Sequence, residues 1–170
     1  RKEAEIALEI RNRIAETFLT SPAEDVFLNI LPLVGTALKS PVALLGTLEP
    51  NHGVQITTYD RSQGQTAANG VQHSTLESLP GLFKGILADQ QSVIANEPLV
   101  VAALPRSLLR ALTVPIASKG KSLGFLMVAD GEADYDKADV KALISLTTYL
   151  APILEFHMES EIKEGQLRQA

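Results

Sequence analysis

The clearest pattern in the chain is a change of period in its last third. Branched and aromatic residues cluster on both sides of Lys119-Gly120, which predicts two strands, Ala111–Ala117 and Ser122–Asp130, joined by a tight turn. Helical spacing then begins near Asp136 and continues to about Glu164. We therefore expect a β-hairpin that leads directly into a long helix.

The start of this long helix has its own local signals. Asp136 can act as the N-cap, and Asp139 lies three residues later in the first turn. Tyr135 and Val140 occupy the two positions of a hydrophobic staple. These four residues predict where the chain enters the helix, and Pro152 is expected to bend it.

Two further helices are predicted near the amino end. Charged residues separate apolar residues at four-residue spacing, which predicts an amphipathic helix over Glu5–Leu19. The segment Ser21–Glu24 has an N-cap serine, a proline at the first helical position and the glutamate of a capping box. A second helix should therefore begin there and run toward Lys39, bent or interrupted at Pro32.

The middle of the chain contains shorter elements. Val42–Leu48 and Val54–Tyr59 predict a first hairpin, and Ser92–Ala95 predicts a short strand. Leu76–Leu87 predicts one or two short helices, broken at Pro80-Gly81.

The rest of the segment from Asp60 to Leu112 is expected to be irregular. It includes a polar loop from Arg61 to Gly70 and a stretch from Glu97 to Arg110 that should cross the surface. A long irregular stretch inside a compact domain usually has a function, so we expect ligand-binding residues here.

Composition then excludes several classes of protein. A chain of 170 residues suits one domain, and its net charge of -5 offers no basic face for nucleic acid. No apolar run approaches the ~20 residues that a spanning helix needs. The chain contains no cysteine, which removes disulfides, thiolate nucleophiles and zinc sites with sulfur ligands. We expect a cytoplasmic domain without a nucleic-acid partner or a direct membrane span.

No catalytic motif is supported by its context. Gly120–Gly124 has the form G-x-S-x-G, but Ser122 is expected to open a strand after a hairpin turn, whereas a hydrolase serine lies between a strand and a helix. The acidic run from Asp130 to Asp136 has tyrosine where a calcium loop needs glycine, and the three histidines form no metal set. We therefore expect a non-catalytic segment without a metal site.

Five short phrases occur in a fixed order along the chain: Ala95–Pro98, Arg110–Ile116, Gly124–Ala129, Asp134–Asp136 and Tyr149–Leu154. In these phrases and their order the chain is similar to the GAF domains of bacterial and archaeal sensor histidine kinases that combine PAS and GAF modules. Ile10–Leu19 resembles the helix that leads into such domains.

The resemblance implies an α+β fold of α/β/α layers. A central antiparallel sheet of five or six strands should carry the N- and C-terminal helices on one face. Loops and short helices should cover a pocket on the other face. The implied organisation is a linker or signalling helix over 1–20, the GAF domain over 21–155, and the end of a helix leading to an output module over 156–170. Because the sequence begins with Arg1, we expect the parent protein to be longer. The resemblance implies that this parent is a histidine kinase.

The resemblance also bears on cofactors. Members of the family bind cyclic nucleotides, linear tetrapyrroles, haem or small metabolites, and many only dimerise. Covalent attachment of a bilin and the reduction of methionine sulfoxide depend on cysteine, and this chain has none. The Asn-Lys pair of cyclic-nucleotide members is also missing upstream of Phe83. The cofactor therefore stays unknown.

Candidate ligand-binding residues come from the irregular segments and the final hairpin. Guanidinium groups that converge on a cavity would favour an anionic ligand such as a carboxylate or phosphate. For each candidate the alternative is a solvated loop residue, and Asn96 could instead satisfy backbone groups of its turn. The candidates are Arg61, His73, Asn96, Arg106, Arg110 and Thr113.

The terminal helices predict a homodimer. Their apolar stripes favour partner helices from a second copy, because the C-terminal stripe continues past any plausible sheet. The alternative is an amphipathic helix that lies on its own sheet. The residues assigned to this dimer and relay role are Ile10, Ile14, Leu154, Met158 and Ile162. Two functions stay open: a ligand sensor, and a dimerisation and relay element whose pocket is filled by side chains.

Overall fold

The computed structural model describes residues 2–21, 25–49, 53–61, 70–100 and 107–169. Its helices are α1 (Lys2–Thr20), α2 (Val26–Ala37), α3 (Gly81–Asp89) and α4 (Lys137–Gln169), with a 3₁₀ turn at Leu76–Ser78. Its strands are β1 (Val42–Leu48), β2 (Gly53–Asp60), β3 (Gly70–Thr75), β4 (Val93–Ala95), β5 (Leu99–Val100), β6 (Ser107–Leu108), β7 (Ala111–Ser118) and β8 (Lys121–Ala129).

Six of these strands form one antiparallel sheet within the described residues, in the order β3-β2-β1-β8-β7-β4. β5 and β6 form a separate two-stranded pair. The α+β fold and the antiparallel sheet expected from the sequence are therefore confirmed. Both predicted hairpins, β1–β2 and β7–β8, are present, and Lys119 and Gly120 make the second turn with φ of 53° and 79°.

Alternate side chains of the strands point to opposite faces of the sheet, and each face has its own apolar core. On β1, Ala43 and Leu45 join the core under α1, α2 and α4, which we call the helix face. Val42 and Leu44 join the core under α3, which we call the α3 face. The predicted placement of the terminal helices on one face is confirmed.

The predicted cap of α4 is confirmed in detail. The backbone N–H of Asp139 donates to Oδ1 of Asp136 at 3.0 Å, and the N–H of Asp136 donates to Oδ2 of Asp139 at 2.9 Å. This reciprocal pair satisfies two backbone donors at the helix start. Tyr135 and Val140, the predicted staple, both belong to the helix-face core. The helix runs five residues beyond the predicted end at Glu164, to Gln169, and continues through Pro152.

The start of α2 differs from the prediction. The N–H of Ser21 bonds to the carbonyl of Thr17 at 2.9 Å, so Ser21 extends α1, and α2 begins at Val26 after Asp25. The predicted capping residues Pro22 and Glu24 lie outside the described residues.

Pro32 does not interrupt α2. An internal proline removes one helical hydrogen bond and costs about 3 kcal/mol. The helix nevertheless spans it, because Ile30, Leu31 and Val34 around it are all fully buried in the helix-face core. Tertiary burial therefore outweighs the local preference.

The irregular segment was predicted with least success. Gly70–Thr75 is strand β3, paired with β2, where the sequence predicted a loop and an irregular stretch. Leu99–Val100 and Ser107–Leu108 pair as β5 and β6 where a surface crossing was expected. The break between two short helices is confirmed at Pro80, which precedes α3. Polar residues on an exposed edge strand such as β3 carry little alternation, which explains the first error.

Candidate functional site

The centre of the α3 face is filled by two aromatic rings. Phe83 of α3 and Phe125 of β8 are fully buried, with ring centroids 4.2 Å apart and planes 11° apart. The Phe125 ring lies over Gly46 of β1, where a Cβ would be 2.2 Å from a ring atom. Glycine at this position is what allows the ring to approach the sheet. The stack therefore occupies the space between α3 and the sheet.

A groove of about 510 Å³ opens on the same face, between the 3₁₀ turn, α3 and the adjoining ends of β1 and β8. Small-molecule sites typically have volumes of about 300–1,000 Å³, so the groove has a suitable size. None of the five predicted ligand residues that the structure describes, Arg61, His73, Asn96, Arg110 and Thr113, lines it. The groove is lined by Leu48, Leu76, Glu77, Lys84, Leu87, Ala88 and Ser122.

One wall of the groove is held by hydrogen bonds. The Ser122 hydroxyl donates to the carbonyl of Leu87 at 2.8 Å, and Nε2 of Gln90 donates to the Ser122 hydroxyl at 3.1 Å. The same Gln90 amide donates to the carbonyl of Gly120 at 2.9 Å. Gln90 itself ends α3 with a φ of 53°. The end of α3 is thus attached to the β7–β8 hairpin.

A second polar cluster lies where the sheet meets the start of α4; we call Ser40, Asn96, Arg110, Asp130 and Tyr135 the junction cluster. The amide of Asn96 makes two hydrogen bonds to the backbone of Tyr135: Nδ2 donates to its carbonyl at 3.2 Å, and Oδ1 accepts from its N–H at 3.0 Å. Asn96 therefore bonds backbone groups 39 residues away, not those of its own turn. It connects the end of β4 to the residue that precedes the α4 cap.

The phenol of Tyr135 makes the next connection. It lies 2.6 Å from the Ser40 hydroxyl and accepts the N–H of Gly131 at 3.0 Å. Burial raises the pKa of Tyr135 above its ordinary value of 10.0, although the bonds to Ser40 and Gly131 oppose the shift. The neutral phenol therefore joins the α2–β1 loop to the β8–α4 loop.

Arg110 completes the junction cluster. Its guanidinium donates to the carbonyl of Gly131, and its Nε lies 3.4 Å from Oδ1 of Asp134. Asp130, with a φ of 62°, accepts the N–H of Leu109 at 2.6 Å. Both Asn96 and Arg110, predicted as ligand residues, therefore hold loops together in this structure.

The other predicted ligand residues lie apart from one another. Arg61 is an exposed residue directly after β2. His73 lies on the exposed edge strand β3, where Nδ1 is 3.1 Å from Oε1 of Glu49. Thr113 is buried in β7, opposite Met127. Arg106 lies outside the described residues. None of Arg61, Arg110 and His73 lines the groove.

The residues predicted for dimerisation are mostly buried within one subunit. Ile10, Ile14 and Leu154 belong to the helix-face core, and Met158 is half-buried against it. The side chain of Ile162 lies outside the part that the structure describes. The guanidinium of Arg11 donates to the hydroxyl of Ser145, which places α1 beside α4. For these buried residues the structure fits the alternative of helices lying on their own sheet.

Two other kinds of site are absent from the described residues. Within the described ranges, no three His, Cys, Asp or Glu side chains come close enough together to hold a metal ion. Among the helices that the structure describes, none has both the length and the apolar character needed to cross a membrane.

Comparison with solved structures identifies the architecture. The GAF domain of an Acinetobacter phosphoenolpyruvate-protein phosphotransferase superposes with a TM-score of 0.66 at 18% identity, covering 91% of this chain and 96% of that one. The free methionine-R-sulfoxide reductase of Neisseria meningitidis gives a TM-score of 0.63 at 16% identity, with coverages of 95% and 94%. This chain has the GAF fold.

A further GAF neighbour is described as part of a sensor histidine kinase of Pseudomonas syringae pv. tomato. It has a TM-score of 0.55 and 19% identity, and covers 95% of each chain. No family model and no curated protein sequence matches this chain. At these identities the likeness concerns the GAF fold alone.

Proposed function

We propose that this chain is a regulatory sensor module of a multidomain signal-transduction protein. A small molecule binds on the α3 face, and the terminal helices on the opposite face transmit the change to a partner copy and to an output module. The observation that carries this proposal is the length of α4. Its 33 residues extend about 50 Å, whereas β7 and β8, the strands that it contacts, have eight and nine residues and extend about 30 Å.

The junction cluster supports a connection between the two faces. Asn96 follows β4 and Arg110 precedes β7, and both bond to the loop that leads into α4. A ligand can shift such an element only by binding two of its arrangements with different affinity. A ligand-dependent shift of β4 or β7 would therefore reach the first turn of α4 through direct hydrogen bonds.

Exposed side chains on α4 support a homodimer. Ile144 and Phe156 are 40% and 63% exposed, and the exposed residues Thr148 and Pro152 lie between them. Four-residue spacing places all four on one side of the helix. This outward stripe, rather than the buried Leu154, is the surface that we assign to a partner helix.

The context in a histidine kinase and a cytoplasmic location are parts of the same proposal. They are supported by the resemblance of the sequence phrases and by the neighbour described as part of a sensor kinase. We also propose that the segment is non-catalytic. One neighbour is a methionine sulfoxide reductase, a chemistry for which the resemblance requires cysteine, and the sequence has none.

The second candidate is a dimerisation and relay element that binds no ligand. The stack of Phe83 and Phe125 favours it, because these rings occupy the space between α3 and the sheet. Native mass spectrometry of the protein as purified separates the two functions. A small-molecule adduct that is released on denaturation supports the sensor, and a dimer without an adduct supports the relay.

Sedimentation velocity tests the proposed dimer. The double variant Ile144→Glu, Phe156→Glu should sediment as a folded monomer, because it places charges on the outward stripe. Leu109→Glu is the matched control, since Leu109 is 60% exposed but lies off the helices. An unchanged dimer in the double variant would contradict the proposed interface.

A further inference from the structure

The floor of the groove suits an apolar group. Leu48 comes from β1, Leu76 from the 3₁₀ turn, and Leu87 and Ala88 from α3. Side chains from three elements thus present an apolar surface that is open to solvent. Burying such a surface under the apolar part of a ligand is favourable.

The groove also has two charged residues of opposite sign. Glu77 and Lys84 both line it and are both exposed. Neither makes an ion pair within the described ranges. Their charged groups are therefore available to a ligand, and a charge-assisted hydrogen bond is stronger than a neutral one.

The third polar side chain of the groove, Ser122, already has hydrogen-bond partners within the protein. The Ser122 hydroxyl donates to the Leu87 carbonyl and accepts from the Gln90 amide. These bonds hold the wall in place before any ligand arrives, which lowers the cost of ordering on binding. Polar recognition is thus left to Glu77 and Lys84.

We infer that the groove binds a small zwitterion: a molecule with an apolar body that carries one cationic and one anionic group. A ligand with only an anionic group would gain from Lys84 but would be repelled by Glu77, and a purely cationic ligand would meet the reverse situation. The cationic group of a zwitterion can contact Glu77 while its anionic group contacts Lys84. This inference rests on the sensor function proposed above and names the ligand class of that site.

Three probes with the same phenylpropyl body test the inference: homophenylalanine, phenylbutyrate and phenylpropylamine. They are zwitterionic, anionic and cationic near neutral pH. Amide NMR titration of the whole chain should show saturable shifts at Glu77, Lys84 and Ala88 with homophenylalanine. Its Kd should be at least about tenfold lower than that of either singly charged probe. Equal or tighter binding of a singly charged probe, or no saturable shift with any probe, would overturn the inference.

Variants locate the binding site and its charge preference. Glu77→Gln should abolish the preference for homophenylalanine over phenylbutyrate, and Lys84→Met the preference over phenylpropylamine. Ala88→Phe should fill the groove and abolish binding, whereas Asp89→Phe, on the same helix but outside the groove, should retain it. Circular dichroism checks that each variant is folded. Binding to Ala88→Phe as tight as to the unmodified chain would contradict the assigned site.

These titrations require no output activity, so they are independent of the sedimentation test of the helix dimer. If no probe binds while the Ile144, Phe156 variant dissociates, the zwitterion inference fails and the relay function stands. If homophenylalanine binds and the dimer is unaffected by that variant, the ligand class stands and the proposed interface fails.

Discussion

The two faces of the central sheet differ in how helices cover them. On the helix face, three helices cover an apolar core that includes Ile14, Ile30 and Leu126, all at most 1% exposed. On the α3 face, one short helix covers the aromatic stack and leaves a groove beside the strand ends. The first arrangement favours stability and helix-mediated contacts. The second leaves a groove of about 510 Å³, and the junction cluster bonds the residue after β4 and the residue before β7 to the loop that leads into α4.

The largest expected effect compares the two faces at neighbouring residues of β8. Phe125 and Leu126 are both fully buried, but they belong to the cores of opposite faces. Phe125→Ala should lower the free energy of unfolding by about 3–5 kcal/mol and Leu126→Ala by about 2–5 kcal/mol, through lost burial and a cavity. Urea unfolding followed by circular dichroism measures both.

Val71→Ala, on the exposed edge strand β3, is the control for this pair and should change stability by at most about 0.5 kcal/mol. A loss below about 1 kcal/mol for Phe125→Ala would mean that the α3 face is not a packed core. The two faces would then differ in how tightly their side chains pack, as well as in the helices that cover them.

An intermediate effect is expected at the junction cluster. Asn96→Ala removes both hydrogen bonds to the Tyr135 backbone and should cost about 1–3 kcal/mol of unfolding free energy. Hydrogen exchange should also become faster in the first turn of α4. Asn29→Ala is the matched control, because it removes an exposed side-chain hydrogen bond, from the Asn29 amide to the Ser21 hydroxyl, and should cost at most about 0.5 kcal/mol. Equal losses in both variants would show that the bonds of Asn96 to Tyr135 contribute no more than an exposed pair.

The smallest effect concerns pH. Because burial raises the folded-state pKa of Tyr135 above the ordinary 10.0, its protonated phenol contributes stability that is fully present below pH 10.0. That contribution should be lost as the pH rises through the folded-state pKa. Unfolding free energies should therefore fall more steeply above pH 10.0 in the unmodified chain than in Tyr135→Phe. Parallel pH profiles would contradict the assigned burial.

Local signals explain which parts of the fold could be predicted. The α4 cap depends on Asp136 and Asp139, three residues apart, and the β7–β8 turn depends on Lys119-Gly120. Such signals act within a few residues, so the sequence shows them directly. Strand β3 was missed because its exposed polar residues, His73 among them, have no apolar alternation.

The candidate site could not be predicted in the same way. Arg110 and Asn96 were predicted as ligand-binding residues, and in the structure they bond to Gly131 and Tyr135 in another loop. Nothing in the sequence indicates that these bonds form instead of bonds to a ligand. Glu77 and Lys84, which line the groove, were not among the predicted residues because no local motif marks them.

By itself, the sequence determined the kind and order of most elements and the absence of cysteine chemistry. The α/β/α layers were implied only by the resemblance to GAF domains. Periodicity, helix caps and turn residues depend on residues that are close together in the chain, so they can be recognised in the sequence alone. Only the tertiary structure decided that Phe125 fills the space over Gly46, that Ile10, Ile14 and Leu154 are buried in their own subunit, and where the groove opens. Those outcomes depend on how side chains from distant strands and helices share a limited volume, which is a property of packing and not of spacing.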